Sequence, residues 1–188
     1  MKIGTKSVLF GAHCFFLHPW FVAYAWWKLY GFPFDLRLWV AFFVHDIGYL
    51  GKPNMDGSEG ERHPYTGAKI MSIFGLRWYF FTLYHSRFLA KKNGAQYSRL
   101  CVADKLAIVI TPNWLYLPMV RATGEINEYM KDAERNSNGQ IKIQNSEVVW
   151  INGVKDYVRK WVNEHKDMKE DTWTTTNRKT VDSSGVWK

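Results

Sequence analysis

Apolar residues fall in long blocks over the first 112 positions, and the blocks recur with helical rather than alternating period. Residues 7–27 carry no charge and read as a buried core helix. Pro19 follows His18, and proline suits the first turn of a helix because its missing N–H would be unpaired there anyway. A helix is predicted from there through Val22, Ala25, Trp26 and Leu29, stopping at Gly31. Phe32-Pro33-Phe34-Asp35 reads as a turn with Asp35 as the next N-cap. Residues 36–47 form a nearly all-apolar helix that must be buried on most sides, ending at Gly48. Residues 51–60, with Pro53, Asn54, Asp56 and Gly57, are a loop. His63-Pro64 repeats the His18-Pro19 arrangement and opens a helix over 65–74. Gly75 breaks it, and residues 77–90 are predicted as one further helix. After the turn at 91–94, residues 99–110 form an apolar helix ended by Thr111-Pro112.

Beyond Pro112 the texture is more polar. Residues 115–135 predict one or two helices, weakened at Pro118 and Gly124. Residues 141–144 alternate and suggest a short strand paired with 148–151. Residues 154–165 predict an amphipathic helix through Tyr157, Val158, Trp161 and Val162. Residues 167–188 form a polar, Thr-rich tail, expected to be flexible. The resulting expectation is an all-α core over 1–112, a mixed but mostly helical extension over 113–166 packing on it, and the tail.

Size and composition narrow the picture. A chain of 188 residues is one domain by length, and 47% hydrophobic with 17% aromatic residues supplies a substantial core. Cys14 and Cys101 make no disulfide framework, which fits a reducing cytoplasm. The uncharged stretch 7–27 is interrupted by His13, His18 and Pro19 and is rich in aromatics. No small-residue cleavage site follows it, so neither a membrane partner nor export is expected. The net charge of +8 is uneven. Residues 1–112 hold 13 basic and 6 acidic residues, a net of +7, and between Arg62 and Ala103 seven basic residues occur with no acid. Such a span suits an anionic substrate, phosphate above all. No nucleic-acid-binding motif accompanies it.

Candidate chemistry lies in the histidines. His18, the pair His45-Asp46, His63, His85 and Asp104 each sit at a helix end or on an apolar helix. Burial there is costly unless each finds a partner. Successive members are 27, 18, 22 and 19 positions apart, about one helix and one turn. Antiparallel helices of that length return the chain to one end of a bundle, so the six residues can converge. Imidazole and carboxylate together suit a divalent transition metal. His13 competes with His18 as the first ligand.

The order His18, His45-Asp46, Asp104 resembles the HD superfamily of metal-dependent phosphohydrolases. Val44-His45-Asp46-Ile47-Gly48 is similar to its HDIG variant. His63-Pro64-Tyr65-Thr66-Gly67-Ala68 looks like the H-x-x-x-G-A segment of two-metal members, and Tyr84-His85-Ser86 and Val102-Ala103-Asp104-Lys105 look like their YH and AD segments. The resemblance covers about residues 13–112 and implies an HD-domain helical bundle. It implies one metal held by His18, His45, Asp46 and Asp104, and a second by Asp46, His63 and His85, the ion being Fe, Mn, Zn, Ni or Co. The implied reaction is hydrolysis of a phosphoester or phosphoanhydride, of a nucleotide or a related small anion, by metal-activated water. Asp46, Arg87 and Lys91 are the candidate catalytic residues, and Arg62, Arg87, Lys91 and Lys92 the candidate substrate contacts. Glu59 or Glu61 could act as acid or base, and Trp20, Tyr24, Tyr49 or Trp78 could stack on a base. The same branch includes di-iron oxygenases, and a non-catalytic binding protein is the third alternative. Gly48-Tyr49-Leu50 departs from the GYP signature of cyclic-di-GMP phosphodiesterases.

Overall fold

The structure, a computed structural model, describes residues 1–136 and 146–167. All regular elements among the described residues are helical. They are α1 (Ile3–Phe10), α2 (His18–Tyr30), α3 (Leu36–Val44), α4 (Pro64–Met71), α5 (Leu76–Leu83), α6 (Arg87–Lys92), α7 (Arg99–Ile110), α8 (Asn113–Thr123), α9 (Glu125–Asn136) and α10 (Glu147–His165). Short 3-10 turns occur at Ile47–Tyr49, Gly60–Arg62 and Ser72–Phe74.

The central pair is α2 against α7, with α3, α4 and α5 wrapped beside them. Their facing sides bury Val22, Ala25, Trp26, Phe42, Met71, Phe81 and Leu100 in one core. Helix ends follow local chemistry. Asp35 caps α3 by accepting from Arg37 N at 2.9 Å, and Ser98 caps α7 by accepting from Cys101 N at 3.3 Å. Both satisfy N–H groups that lack intrahelical partners. Gly31 ends α2 at a φ of 88°, a conformation that side chains with a Cβ resist. The C-terminal region packs back: Val158, Trp161 and Val162 of α10 lie against Cys101 and Val102 of α7. Both cysteines are free and buried. Among the described residues no single helix is long and apolar enough to cross a membrane.

Several sequence expectations are corrected. The uncharged block 7–27 is not one helix: α1 ends at Phe10, and turns over 11–17 precede α2. The helix expected over 36–47 ends at Val44, and the chain turns into a 3-10 segment. The helix expected over 77–90 is two, broken at Tyr84–Ser86, because Ser86 caps a new helix by accepting from Leu89 N at 3.3 Å. Residues 148–151 are not a strand but part of α10, where Trp150 and Ile151 are buried against α8. The strand expected at 141–144 and the tail beyond residue 167 lie outside the described residues.

Candidate metal centre

The six predicted ligands come from five different places in the fold. His18 is the first residue of α2, and Asp104 lies in the middle of α7. His45 and Asp46 sit just past the end of α3, His63 is the N-cap of α4, and His85 occupies the break between α5 and α6. Two glycines let these ends meet. A Cβ on Gly48 would lie 1.9 Å from the His63 carbonyl oxygen, and one on Gly67 would lie 2.4 Å from that of Val44. The start of α4 therefore packs backbone to backbone on the His45-Asp46 turn.

All six side chains are buried. Asp46 stands at their centre and its two oxygens face different groups. Oδ2 lies 2.9 Å from His45 Nε2 and 3.4 Å from His18 Nε2. Oδ1 lies 3.3 Å from His85 Nε2 and 3.4 Å from His63 Nε2. Asp104 Oδ1 completes the first group at 3.0 Å from His18 Nε2 and 3.8 Å from His45 Nε2. The result is two ligand groups sharing Asp46: His18, His45, Asp46 and Asp104, and Asp46, His63 and His85.

The outer ring nitrogens fix the protonation. Nδ1 of His45, His63 and His85 lies 2.9, 2.8 and 2.5 Å from the carbonyl oxygens of Phe42, Gly60 and Thr82. A carbonyl only accepts, so each Nδ1 carries a ring proton and donates it, which leaves Nε2 as the ring atom turned to the centre. This is the arrangement by which proteins orient metal-ligating histidines. Its consequence is unfavourable without a cation. His63 and His85 Nε2 face one another at 3.1 Å, and with the ring proton of each on Nδ1 alone their lone pairs would oppose. His45 Nε2 and Asp46 Oδ2 are buried with no hydrogen-bond partner. A divalent cation in each group would satisfy all of these atoms, so the donor set fits a metal.

The electrostatics agree. Burial alone would push His45 down, but the negative charges of Asp46 and Asp104 beside it outweigh burial and lift the imidazole to about 10. A proton is thus drawn to the place a cation would take. Burial dominates at His63 and lowers it to about 4, against the opposing pull of Asp46. Burial opposes the ionised forms of Asp46 and Asp104, yet His45 and His13 around the first, and Lys105 and His18 around the second, hold both carboxyls well below the usual range.

The remaining predicted residues divide. The cluster opens through a cavity of about 140 Å3 whose lining includes His13, Tyr49, Glu61, Arg87, Phe88 and Lys105. Arg87 stands at its mouth with its guanidinium 4.9 Å from the Trp161 ring, donating to the Tyr157 hydroxyl at 3.0 Å. Arg62 and Lys92 line a second, larger groove of about 740 Å3 with Lys52, Tyr65 and Glu59; Glu61 and Phe88 line both spaces. Lys91 is exposed and lines neither. Tyr49 stacks on His63 at 3.8 Å, packing the ligand rather than awaiting a base. Trp78 is buried in the core, and Trp20 and Tyr24 line neither space.

Two features were missed. Lys105 donates to Asp104 Oδ2 at 2.9 Å, leaving Oδ1 for the histidines; its place beside a candidate ligand was the available signal. His13 is not a member of either ligand group. Its Nε2 lies 4.0 Å from Asp46, and its Nδ1 lies 2.9 Å from Ser7 Oγ and 3.8 Å from Glu125. Glu125, fully buried at the start of α9, also accepts from Thr123 Oγ1 at 2.6 Å and Tyr129 Oη at 3.0 Å. Nothing local in the sequence ties Glu125 to residue 13. Comparison of the chain with protein-family models, curated proteins and solved structures yields no match.

Proposed function

We propose that this protein is an HD-type, metal-dependent phosphohydrolase acting on a small phosphorylated anion, a nucleotide or a compound like it. The observation that carries the reading is the division of Asp46 between two buried ligand groups, each presenting imidazole lone pairs. Two divalent transition metals bound there would lower the pKa of water and offset the charge of a phosphoryl group. The chain's own residues supply the rest. The carbonyls of Phe42, Gly60 and Thr82 hold three imidazoles in one orientation. Lys105 and Arg87 bring positive charge to the small cavity, where a phosphoryl group would sit. The adjoining groove, with Lys52, Arg62 and Lys92 on its walls, suits the remainder of an anionic substrate. Glu61 lines both spaces, whereas Glu59 lines only the larger groove, so Glu61 is the better placed of the two glutamates to exchange a proton.

The test is elemental analysis of the purified protein coupled to a screen for phosphate and nucleoside release over mono- and dinucleotides, with and without oxygen. The expected result is two transition metals per chain and oxygen-independent hydrolysis. Oxygen uptake with iron bound and no phosphate release would move the protein to the oxygenases. Absence of bound metal under metal-replete conditions would leave a binding protein.

A further inference from the structure

Helix α2 is apolar on both sides. One side is buried in the core through Val22, Ala25 and Trp26. The other places Trp20, Tyr24 and Trp27 at the surface, four and three residues apart on one face, each more than two-fifths exposed. The stripe continues at its start into Phe16 and at its end into the turn before α3 and that helix's first residue, Phe34 being 84% and Leu36 78% exposed. Ring contacts join its later part, Tyr24 to Trp27 at 6.2 Å, Trp27 to Phe32 at 6.2 Å and Phe32 to Phe34 at 4.9 Å, and Trp20 lies one helical turn before Tyr24 on the same face. Taking about 200 Å2 for each fully exposed aromatic side chain, these rings present roughly 700 Å2 of apolar surface. Single soluble chains seldom show patches beyond about 600 Å2 without a use for them.

We infer that this face seats the protein on an anionic lipid bilayer, with the Phe32–Phe34 turn inserted among the headgroups. Three observations choose that occupant over a second copy. The composition is Trp and Tyr, whose part-polar rings favour the water–lipid boundary, with Phe as the apolar rings that insert. Residues 16–37, which carry the patch, hold Lys28 and Arg37 and a single acid, Asp35, which is already paired with Arg37 at 2.7 Å. Lys28 lies 5.3 Å from the Tyr24 ring, inside the patch. A two-fold interface would set this face against itself and bring the Lys28 charges of two copies together with no free carboxylate among residues 16–37 to answer them, whereas acidic lipid headgroups supply the opposite charge. The most exposed ring of the face, Phe34, stands on a turn, a shape suited to shallow insertion. The inference is independent of the proposed chemistry. It replaces the expectation of no membrane partner with attachment to a surface, not a span.

The experiment is co-sedimentation of the full chain with phosphatidylcholine vesicles, with and without phosphatidylserine, at low and high salt. Tryptophan emission is followed in parallel. Binding is expected only with the acidic lipid, with a blue shift and weakening as salt rises. Phe32→Ser/Phe34→Ser, and Phe34→Ser alone, should reduce affinity about tenfold or more while circular dichroism and metal content stay unchanged. Phe34→Ser is the safeguard should the double variant fold poorly. No binding to acidic vesicles overturns the inference, as does binding that survives Phe34→Ser intact. A concentration-dependent dimer in lipid-free solution that the variants dissociate, without vesicle binding, assigns the face to a second copy and also overturns it.

Discussion

Replacing Asp46 with Asn keeps the shape of the side chain and removes its charge. Four imidazole Nε2 atoms lie within 3.4 Å of the two carboxylate oxygens, two on each side. An amide offers a lone pair on one side only and turns N–H donors toward the other. If the amide oxygen faces His18 and His45, that group keeps four ligands and the other falls to two imidazoles. If it faces His63 and His85, the first group keeps three. The loss therefore falls hardest on one site. Removing one partner from a buried charge pair costs about 3–5 kcal/mol, which corresponds to roughly 10²–10⁴-fold in affinity. Asp46→Asn should hold at most one metal per chain after dialysis against buffered free metal. The more weakened site should need at least about 100-fold more free metal to fill, read by competition with a chromophoric chelator. Circular dichroism should show the helices intact. Two metals retained at the affinity of the unaltered chain would mean that Asp46 is not the shared ligand, and the two-site geometry would fall with it.

His63→Ala leaves His18, His45, Asp46 and Asp104 complete, so one metal per chain should remain; two would place the second site elsewhere. Gly48→Ala forces a methyl to 1.9 Å from the backbone oxygen of His63 and should cost at least about 2 kcal/mol in denaturant unfolding. Gly153→Ala, in α10 with open space around it, should instead stabilise by about 0.5–1 kcal/mol. Metal-free protein should be most stable near pH 6.5. His63, lowered to about 4 in the fold against 6.5 unfolded, makes stability fall as pH drops from 6.5 to 4, by about 3 kcal/mol in all. His45, raised to about 10, adds stability that is complete below pH 6.5 and lost as pH rises through 10. Urea midpoints in chelator across that range that stay flat would refute both environments. Arg87→Ala and Lys92→Ala should raise KM or lower kcat with metal content unchanged, and the activity of the unaltered chain should weaken with salt. Lys91→Ala, outside both spaces, should do neither; equal effects from all three would make the basic span a diffuse field rather than a set of contacts.

Much of this architecture was legible because helix ends carry chemical markers. Asp35, Gly31 and the two His-Pro steps mark real boundaries, and α7 runs over the predicted residues. The errors share one cause. Hydrophobic pattern records that a segment is buried, not which way its backbone turns inside the core. The block 7–27 and the segment 77–90 look continuous because apolar or aromatic residues recur on both sides of each break, Leu83 and Tyr84 before the second and Phe88 and Leu89 after it. Ser86, the cap that divides the second, is inconspicuous in sequence between His85 and Arg87. The His13–Glu125 pairing joins residues 112 positions apart; no local pattern can announce it.

Those errors fall where the candidate ligands are. His45 and Asp46 lie past the helix end that was placed too late, and His85 lies in the unforeseen break. Within a regular helix, neighbouring side chains diverge by about 100° and cannot address one point. A turn at Asp46, with φ −100° and ψ 0°, frees the pair from that stagger. His18 and His63 gain the same freedom as the first residue and the cap of their helices. Asp104 alone is mid-helix, and there Lys105 steadies it by holding the second oxygen. A sequence read for regular periodicity will misplace such positions, because convergence on a shared centre requires the periodicity to fail there. For an apolar helical chain with scattered histidines, interruptions of the helical pattern are therefore the places to look for ligands.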